Sequence, residues 1–164
     1  MSAIETITAS PAGLPATTLN RILEEGYGPG AWYGSDLRAA VSEVTAAAAF
    51  TRPASDRHNI AEVALHHAYW AGQITGRLTG SPAAPFPLDG EDWFEVSDES
   101  RLSWGAITAA LKASQERLSQ AVSEIASGAR TSPLGEAERL DLVLGITGHA
   151  AYHAGQIQLI KKLI

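Results

Sequence analysis

The 164-residue chain is 45% hydrophobic and 18% charged, contains no cysteine and has a formal net charge of −6. This length fits one domain with a buried core, and the lack of cysteine excludes disulfides, thiolate nucleophiles, zinc fingers and iron–sulfur clusters. A metal site in this chain must therefore be built from histidines and carboxylates.

The negative charge is concentrated in one acidic segment, residues 89–99. This segment holds six acidic residues and no Lys or Arg, whereas the other twelve acidic residues equal the twelve basic ones in number. No basic surface for nucleic acid or for an anionic membrane is predicted, and no apolar run reaches the roughly 18 residues of a membrane span. The first residues lack the basic and apolar regions of a signal peptide, so we predict a cytoplasmic protein.

Glycine and proline residues divide the chain into helical segments, and no segment shows the alternation expected of a strand. In chain order we predict a short helix over 19–25, a glycine-rich turn over 26–30, and a helix from Ser35 or Asp36 to about Ala48. The turn lacks the lysine and the following helix of a phosphate-binding loop, so it is interpreted as structural.

A second long helix is predicted to begin after Asn59, a suitable N-cap, because Glu62 three residues later completes a pattern typical of a capping box. Apolar residues then recur every three or four positions until Gly80. About twenty residues without periodicity follow, including the acidic segment. Between two long helices, such a stretch is interpreted as a crossover connection.

Two further amphipathic helices are predicted, one from about Trp104 to near Gly128 and one opening after Gly135. The inner stripe of the last helix is predicted to consist of Val143, Ile146, Ala150, His153, Ile157, Ile160 and Ile164. Four amphipathic helices with a long crossover between the second and third predict an all-α four-helix bundle, forming one domain over residues 1–164.

His149 and His153 are candidate metal ligands, because residues four apart lie on the same face of a helix. Their nitrogens can reach one ion, as in the histidine pairs of zinc proteases. Two packed, hydrogen-bonded histidines are the simpler interpretation of such a pair. A third histidine on the second helix, His66 or His67, favours the metal site, because sites in bundles take ligands from neighbouring helices.

The sequence around these histidines resembles known motifs. Residues 148–157, GHAAYHAGQI, and residues 59–70, NIAEVALHHAYW, are similar to the C-terminal and second-helix motifs of the DinB/YfiT-like superfamily. Residues 31–37 and the pair Asp92-Trp93 are similar to segments of one branch of that family. The resemblance covers almost the whole chain in the family's order.

The resemblance implies a bundle that holds a single divalent ion, nickel or zinc in first place and iron or manganese as alternatives. By position in the motifs, the implied ligands are His66, His149 and His153. His67 occupies a position where the family usually has leucine or isoleucine, yet the helical pattern alone places it nearer the centre of the apolar face. A ligand exchange between His66 and His67 is the alternative; otherwise His67 is packed or supports a ligand.

Other residues are candidates for the surroundings of the ion. Trp32, Trp70 and Trp93 are candidates for the wall of a pocket, with core packing the alternative for Trp70. Gln156 and Tyr152 either support a ligand or lie at an exposed or interface position. The acidic segment is interpreted as solvated surface, as a rim of the pocket or, if it folds back, as the source of a fourth ligand.

Two hypotheses of function follow. In the first, which the resemblance implies, the protein is a metal-dependent enzyme with a small-molecule substrate. It is then a hydrolase, or a transferase that uses a low-molecular-weight thiol such as bacillithiol or mycothiol, since the chain has no thiol of its own. In the second, it is a non-catalytic dimeric bundle with a structural metal or a partner-binding role. The sequence identifies no general base.

A homodimer is implied by the resemblance and agrees with three glycines of the last helix, Gly145, Gly148 and Gly155. Each glycine inside a helix costs about 1 kcal/mol relative to alanine. The close approach of another helix, such as one from a second subunit, would offset that cost.

Overall fold

The computed structural model describes residues 13–164, and the prediction about a signal peptide lies outside that range. Within the described range the regular elements are all helices, as predicted: α1 (Ala16–Tyr27), α2 (Leu37–Ser42), α3 (Ala46–Phe50), α4 (Ile60–Thr79), α5 (Trp104–Ala126) and α6 (Glu136–Ile160). None of these helices has the length and apolar character needed to cross a membrane.

Side-chain caps fix where four of the helices begin. Asp36, Thr45, Asn59 and Ser103 each accept a hydrogen bond from the backbone N–H three residues later, which satisfies a donor that the first turn leaves unpaired. Gly80 ends α4 with φ 69° and ψ 19°, a left-handed conformation that glycine adopts without steric penalty. The predicted ends of α4 are therefore confirmed.

The single helix predicted from Ser35 or Asp36 to about Ala48 is wrong. The structure has two short helices there, because α2 ends at Ser42 and the Thr45 hydroxyl caps a new helix. Asp36 is the residue that caps α2. Thr45, between the two helices, accepts a hydrogen bond from the Ala48 N–H, and hydroxyl side chains of this type compete for backbone N–H groups.

The first helix is longer than predicted at both ends, and α1 runs from Ala16 through Gly26 to Tyr27. A Cβ atom at Gly26 would lie 2.4 Å from the carbonyl oxygen of Thr147 and 2.9 Å from the Ala150 side chain. Glycine at this position therefore allows α1 to approach α6 closely, rather than ending the helix.

The four long helices, α1, α4, α5 and α6, contact one another around the core. α4 packs against α5 and α6, and α1 packs against the same two helices. The predicted inner stripe of the last helix is buried from Val143 to Ile160, whereas Ile164 lies beyond the end of α6 and is exposed. Because His153 belongs to this stripe, α6 carries a histidine into the core.

The α4–α5 segment, residues 81–102, contains no helix or strand and is anchored to the start of α4. The side chain of Asn59 donates to the carbonyl oxygen of Val96 over 2.7 Å, and the Val96 N–H donates to Glu62 Oε1 over 3.1 Å. The Glu62 carboxylate also pairs with Arg52. Glu62 therefore binds the segment instead of completing the predicted capping box, and the acidic residues are carried back over α4.

Candidate metal centre

Helices α4 and α6 bring three imidazoles together. Nε2 of His149 lies 3.1 Å from Nε2 of His66 and 3.1 Å from Nε2 of His153. One ring nitrogen from each histidine lies within 4.8 Å of those of the other two. The three predicted ligands are therefore adjacent, and no other histidine or carboxylate among residues 13–164 joins the group.

The burial of the three rings follows from their positions on the helices. His66 and His153 are 7% and 2% exposed, and His149 is half-buried. The four-residue spacing on α6 places the His149 and His153 rings with their centroids 4.3 Å apart. The group thus lies at the edge of the core, with one imidazole closer to solvent than the other two.

Each clustered histidine has a partner at its other ring nitrogen. Nδ1 of His66 lies 2.9 Å from the backbone oxygen of Asp92 and 3.1 Å from Asp92 Oδ1. Nδ1 of His153 lies 2.5 Å from Oε1 of Gln156, and Nδ1 of His149 lies 2.9 Å from Nδ1 of His67. The Asp92 oxygens and Gln156 Oε1 can only accept hydrogen bonds. The contacts therefore place a proton on Nδ1 of His66 and of His153 and leave a lone pair on the Nε2 of each ring.

The clustered histidines are uncharged at neutral pH. Burial lowers the pKa of His149 and of His153 to about 4. Burial also lowers the pKa of His66, although the Asp92 backbone oxygen and carboxylate oppose the shift. Desolvation disfavours the imidazolium form in each case, so the rings are in the neutral state that binds metals.

The nitrogens fit a divalent cation. Neutral imidazoles with Nδ1–H present lone pairs at Nε2, and two lone pairs 3.1 Å apart repel unless a proton or a cation lies between them. One proton on His149 Nε2 could satisfy only one of its two close contacts. Three imidazole nitrogens form a donor set that suits zinc, nickel and iron, so the residues present match the implied ion.

The acidic segment reaches the centre through Asp92 and Trp93. The Trp93 indole stacks between the rings of His58 and His66, at centroid distances of 3.8 and 3.9 Å and with 7° between the planes of each pair. Asp92 has a φ of 64°, in the left-handed region that few residues other than glycine adopt. Residues in this region are concentrated at functional sites. Asp92 and Trp93 therefore form a rim beside the three clustered histidines.

Asp92 contacts the outer nitrogen of His66, not the Nε2 side. It therefore orients a candidate ligand, and the expectation that the acidic segment could supply a fourth ligand does not match this position. Trp70 Nε1–H donates to Asp92 Oδ1 over 2.6 Å, so Trp70 supports the rim. Trp32, by contrast, is 85% exposed.

The structure separates the two adjacent histidines of α4. His66 points its Nε2 toward His149, whereas fully buried His67 contacts the opposite nitrogen of the His149 ring. His58 lies outside the group, half-exposed and paired with Glu62 over 2.9 Å. The alternative in which His67 replaces His66 in the cluster does not match this arrangement.

Comparison with known proteins agrees with the resemblance. The model of the DinB superfamily matches residues 31–157, a range that includes all three clustered histidines and most of the chain. The chain has no match among curated proteins and none among solved structures. The family match alone is sufficient, since it spans well over half of the sequence: the chain belongs to the DinB superfamily.

Proposed function

We propose that the protein is a metal-dependent enzyme in which His66, His149 and His153 hold one divalent ion. The main support for this proposal is that three neutral imidazoles converge, since Nε2 of His149 lies 3.1 Å from Nε2 of His66 and 3.1 Å from Nε2 of His153. The Nδ1 atom of each ring has its own hydrogen-bond partner. Nickel and zinc are the preferred ions, as the family resemblance implies, and iron and manganese are the alternatives; imidazole ligands suit nickel, zinc and iron better than manganese.

The proposed arrangement is a four-helix bundle in which the α4–α5 segment is the crossover. The packing of α1 and of α4 against both α5 and α6 supports it. In this proposal α1 takes the place of the first long helix, which the sequence put over residues 35–48. The ligands then come from two neighbouring helices, as in other bundle sites.

Three neutral imidazoles, with no fourth protein ligand among residues 13–164, correspond to a catalytic site rather than a closed structural one. A divalent ion held there would supply Lewis-acid activation of a small nucleophile or of a carbonyl group. We propose hydrolysis, with water as the nucleophile, or transfer from a low-molecular-weight thiol such as bacillithiol or mycothiol. The chain has no cysteine, so a thiol would enter as a co-substrate, in the cytoplasm.

The groove between α4 and α6 is the proposed site for the apolar part of the substrate. It is lined by Trp70, Ile74, Asp141, Leu142, Gly145, Ile146 and His149 and holds about 140 Å³. His149 belongs both to this groove and to the histidine cluster, so the groove leads to the proposed ion. Its size suits one small apolar substituent of a carbonyl compound or of another electrophile.

Replacing Gly145 with leucine is expected to narrow this groove. No atom lies within 4 Å of the position where a Cβ would be at Gly145, so the leucine fits without disturbing the helix. We expect kcat/KM to fall at least about 10-fold for substrates whose apolar substituent occupies the groove, because at least about 1.4 kcal/mol of apolar contact is lost. The metal content should not change.

The matched control is Gly105→Leu, which adds the same side chain to α5 at a glycine that also has no atom within 4 Å. Both changes replace a helical glycine with a better helix former, in the first turn of α5 for Gly105 and in the interior of α6 for Gly145. Equal kcat/KM values for the two variants on these substrates would contradict the assignment of the groove.

The proposed activity is tested with a panel of esters and amides and, separately, with thiols and electrophiles. Turnover is expected in one of the two panels, and treatment with a chelator followed by dialysis should abolish it. Adding back the divalent ion should restore it. Protein that binds the ion in full stoichiometry but turns over neither panel would favour the non-catalytic alternative.

The second candidate function, a dimeric bundle, has its own support on the outer face of α6. Leu144, Tyr152 and Leu159 are 50%, 63% and 59% exposed, and Gly148 and Gly155 lie between them with open space around each. These residues recur every three or four positions, so they share one face. We propose that a second copy of this chain covers this face, the glycines allowing the two helices to approach closely.

The substitution Leu159→Glu is expected to shift the protein from dimer to monomer in sedimentation equilibrium, because a buried and unpaired carboxylate is costly. Trp32→Glu, at an exposed apolar residue outside α6, is the matched control and should leave the dimer intact. A monomeric wild-type protein at micromolar concentration would refute the dimer without affecting the proposed metal centre.

A further inference from the structure

His67 is a fully buried histidine beside the proposed centre, and its role is not accounted for by ligation. Its ring lies 5.2 Å from the His149 ring, with 26° between the planes, and the two Nδ1 atoms are 2.9 Å apart. Its other nitrogen, Nε2, is buried and has no hydrogen-bond partner among residues 13–164. A buried polar atom without a partner is unfavourable, so the residue requires an explanation.

The short Nδ1–Nδ1 contact allows two proton arrangements. Two nitrogens share a hydrogen bond only if one carries a proton and the other a lone pair. If His149 donates, its proton is on Nδ1 and its Nε2 keeps the lone pair that faces His66 and His153. If His67 donates, the neutral His149 carries its proton on Nε2, where that proton blocks ligation.

We infer that His67 is a positioning residue, which accepts the Nδ1–H of His149 and so keeps His149 Nε2 free to bind the ion. This inference rests on the proposed function. It completes a pattern in the structure, since Asp92 and Gln156 accept at the Nδ1 of the other two clustered histidines. Such acceptors fix the tautomer and orientation of metal-binding imidazoles and raise their basicity.

The acceptor role has a cost at the other nitrogen of His67. If His67 accepts at Nδ1, its own proton is on Nε2, which is buried and has no acceptor among residues 13–164. The position is therefore expected to favour metal binding at the expense of the stability of the metal-free protein. A histidine that only fills space would not increase metal affinity while it lowers the stability of the metal-free protein.

Two variants separate hydrogen bonding from packing. His67→Leu removes the acceptor and fills the core, whereas His67→Asn retains an amide oxygen close to the position of Nδ1. Zinc affinity is measured by competition with a chromophoric chelator, together with urea unfolding of the metal-free proteins. We expect His67→Leu to bind zinc about 10- to 100-fold more weakly, with a stability no lower than wild type, and His67→Asn to recover most of the affinity.

A second readout needs no variant. Long-range ¹H–¹⁵N correlation spectra of the metal-free wild type are expected to show the proton of His149 on Nδ1. A proton on Nε2 of His149, wild-type affinity in His67→Leu, or equal losses in the Leu and Asn variants would each overturn the inference. Failure of the wild-type protein to bind zinc would refute the proposed function instead, and the tautomer measurement would still decide the role of His67.

Discussion

Replacing His149 with alanine is expected to remove the bound divalent ion from the purified protein. His149 lies between the other two histidines, with its Nε2 at 3.1 Å from each of theirs, so the change leaves two nitrogens without the central one. Loss of a partner that only orients a ligand costs about 10- to 100-fold in affinity, and we expect the loss of a ligand to exceed that range. Elemental analysis after dialysis measures the metal content, and a chelator titration measures the affinity.

The matched control is His58→Ala, which removes a histidine that lies just before α4. The His58 side chain is 49% exposed and lies outside the group of three. This control should keep wild-type stoichiometry. Equal metal content in His149→Ala and in the wild type would contradict the three-histidine site.

Removing the ion is expected to lower the free energy of unfolding, because the ligands come from α4 and α6 and an ion that binds only the folded state stabilises it. At a free concentration 1,000 times the Kd, the stabilisation is about 4 kcal/mol. Urea unfolding followed by circular dichroism, with and without added zinc, measures this difference in the wild-type protein.

His149→Ala is the control for this stability measurement too, and its unfolding midpoint should be insensitive to zinc at the same concentration. A zinc-dependent shift of the same size in that variant would show that zinc stabilises the fold from another position. No shift in the wild type at saturating zinc would contradict a site formed by the folded arrangement of α4 and α6.

The parts of the fold that depend on neighbouring residues were predictable from the sequence. Asn59 begins α4 through a local hydrogen bond, and Gly80 ends it through its left-handed backbone conformation. Both effects act within a few residues. The pair His149 and His153 is predictable for the same reason, since a spacing of four places two side chains on one face of any helix.

The choice between His66 and His67 illustrates what periodicity measures. The helical pattern favoured His67, and His67 is indeed the more buried of the two, at 0% against 7% exposure. The nitrogen that joins the cluster belongs to His66, however, because the cluster lies at the edge of the core, beside Asp92. Burial and ligation are therefore different properties, and the motif resemblance rather than the pattern identified the clustered residue.

Long-range contacts were not predictable from the sequence alone. Asp92 reaches His66 across 26 positions of the chain, and its placement depends on the turn at φ 64° and on the anchoring of Val96 by Glu62. Nothing local marks such a contact. The break between α2 and α3, by contrast, has a local signal in the Thr45 cap, which the apolar periodicity on either side concealed.

A crystal structure of the zinc-loaded protein shows directly whether one divalent ion is held by Nε2 of three histidines. We expect anomalous density at a single position about 2.0–2.1 Å from Nε2 of His66, His149 and His153, with Nδ1 of His66 still hydrogen-bonded to Asp92. An ion at any other position, or one held by His67 in place of His66, would contradict this arrangement.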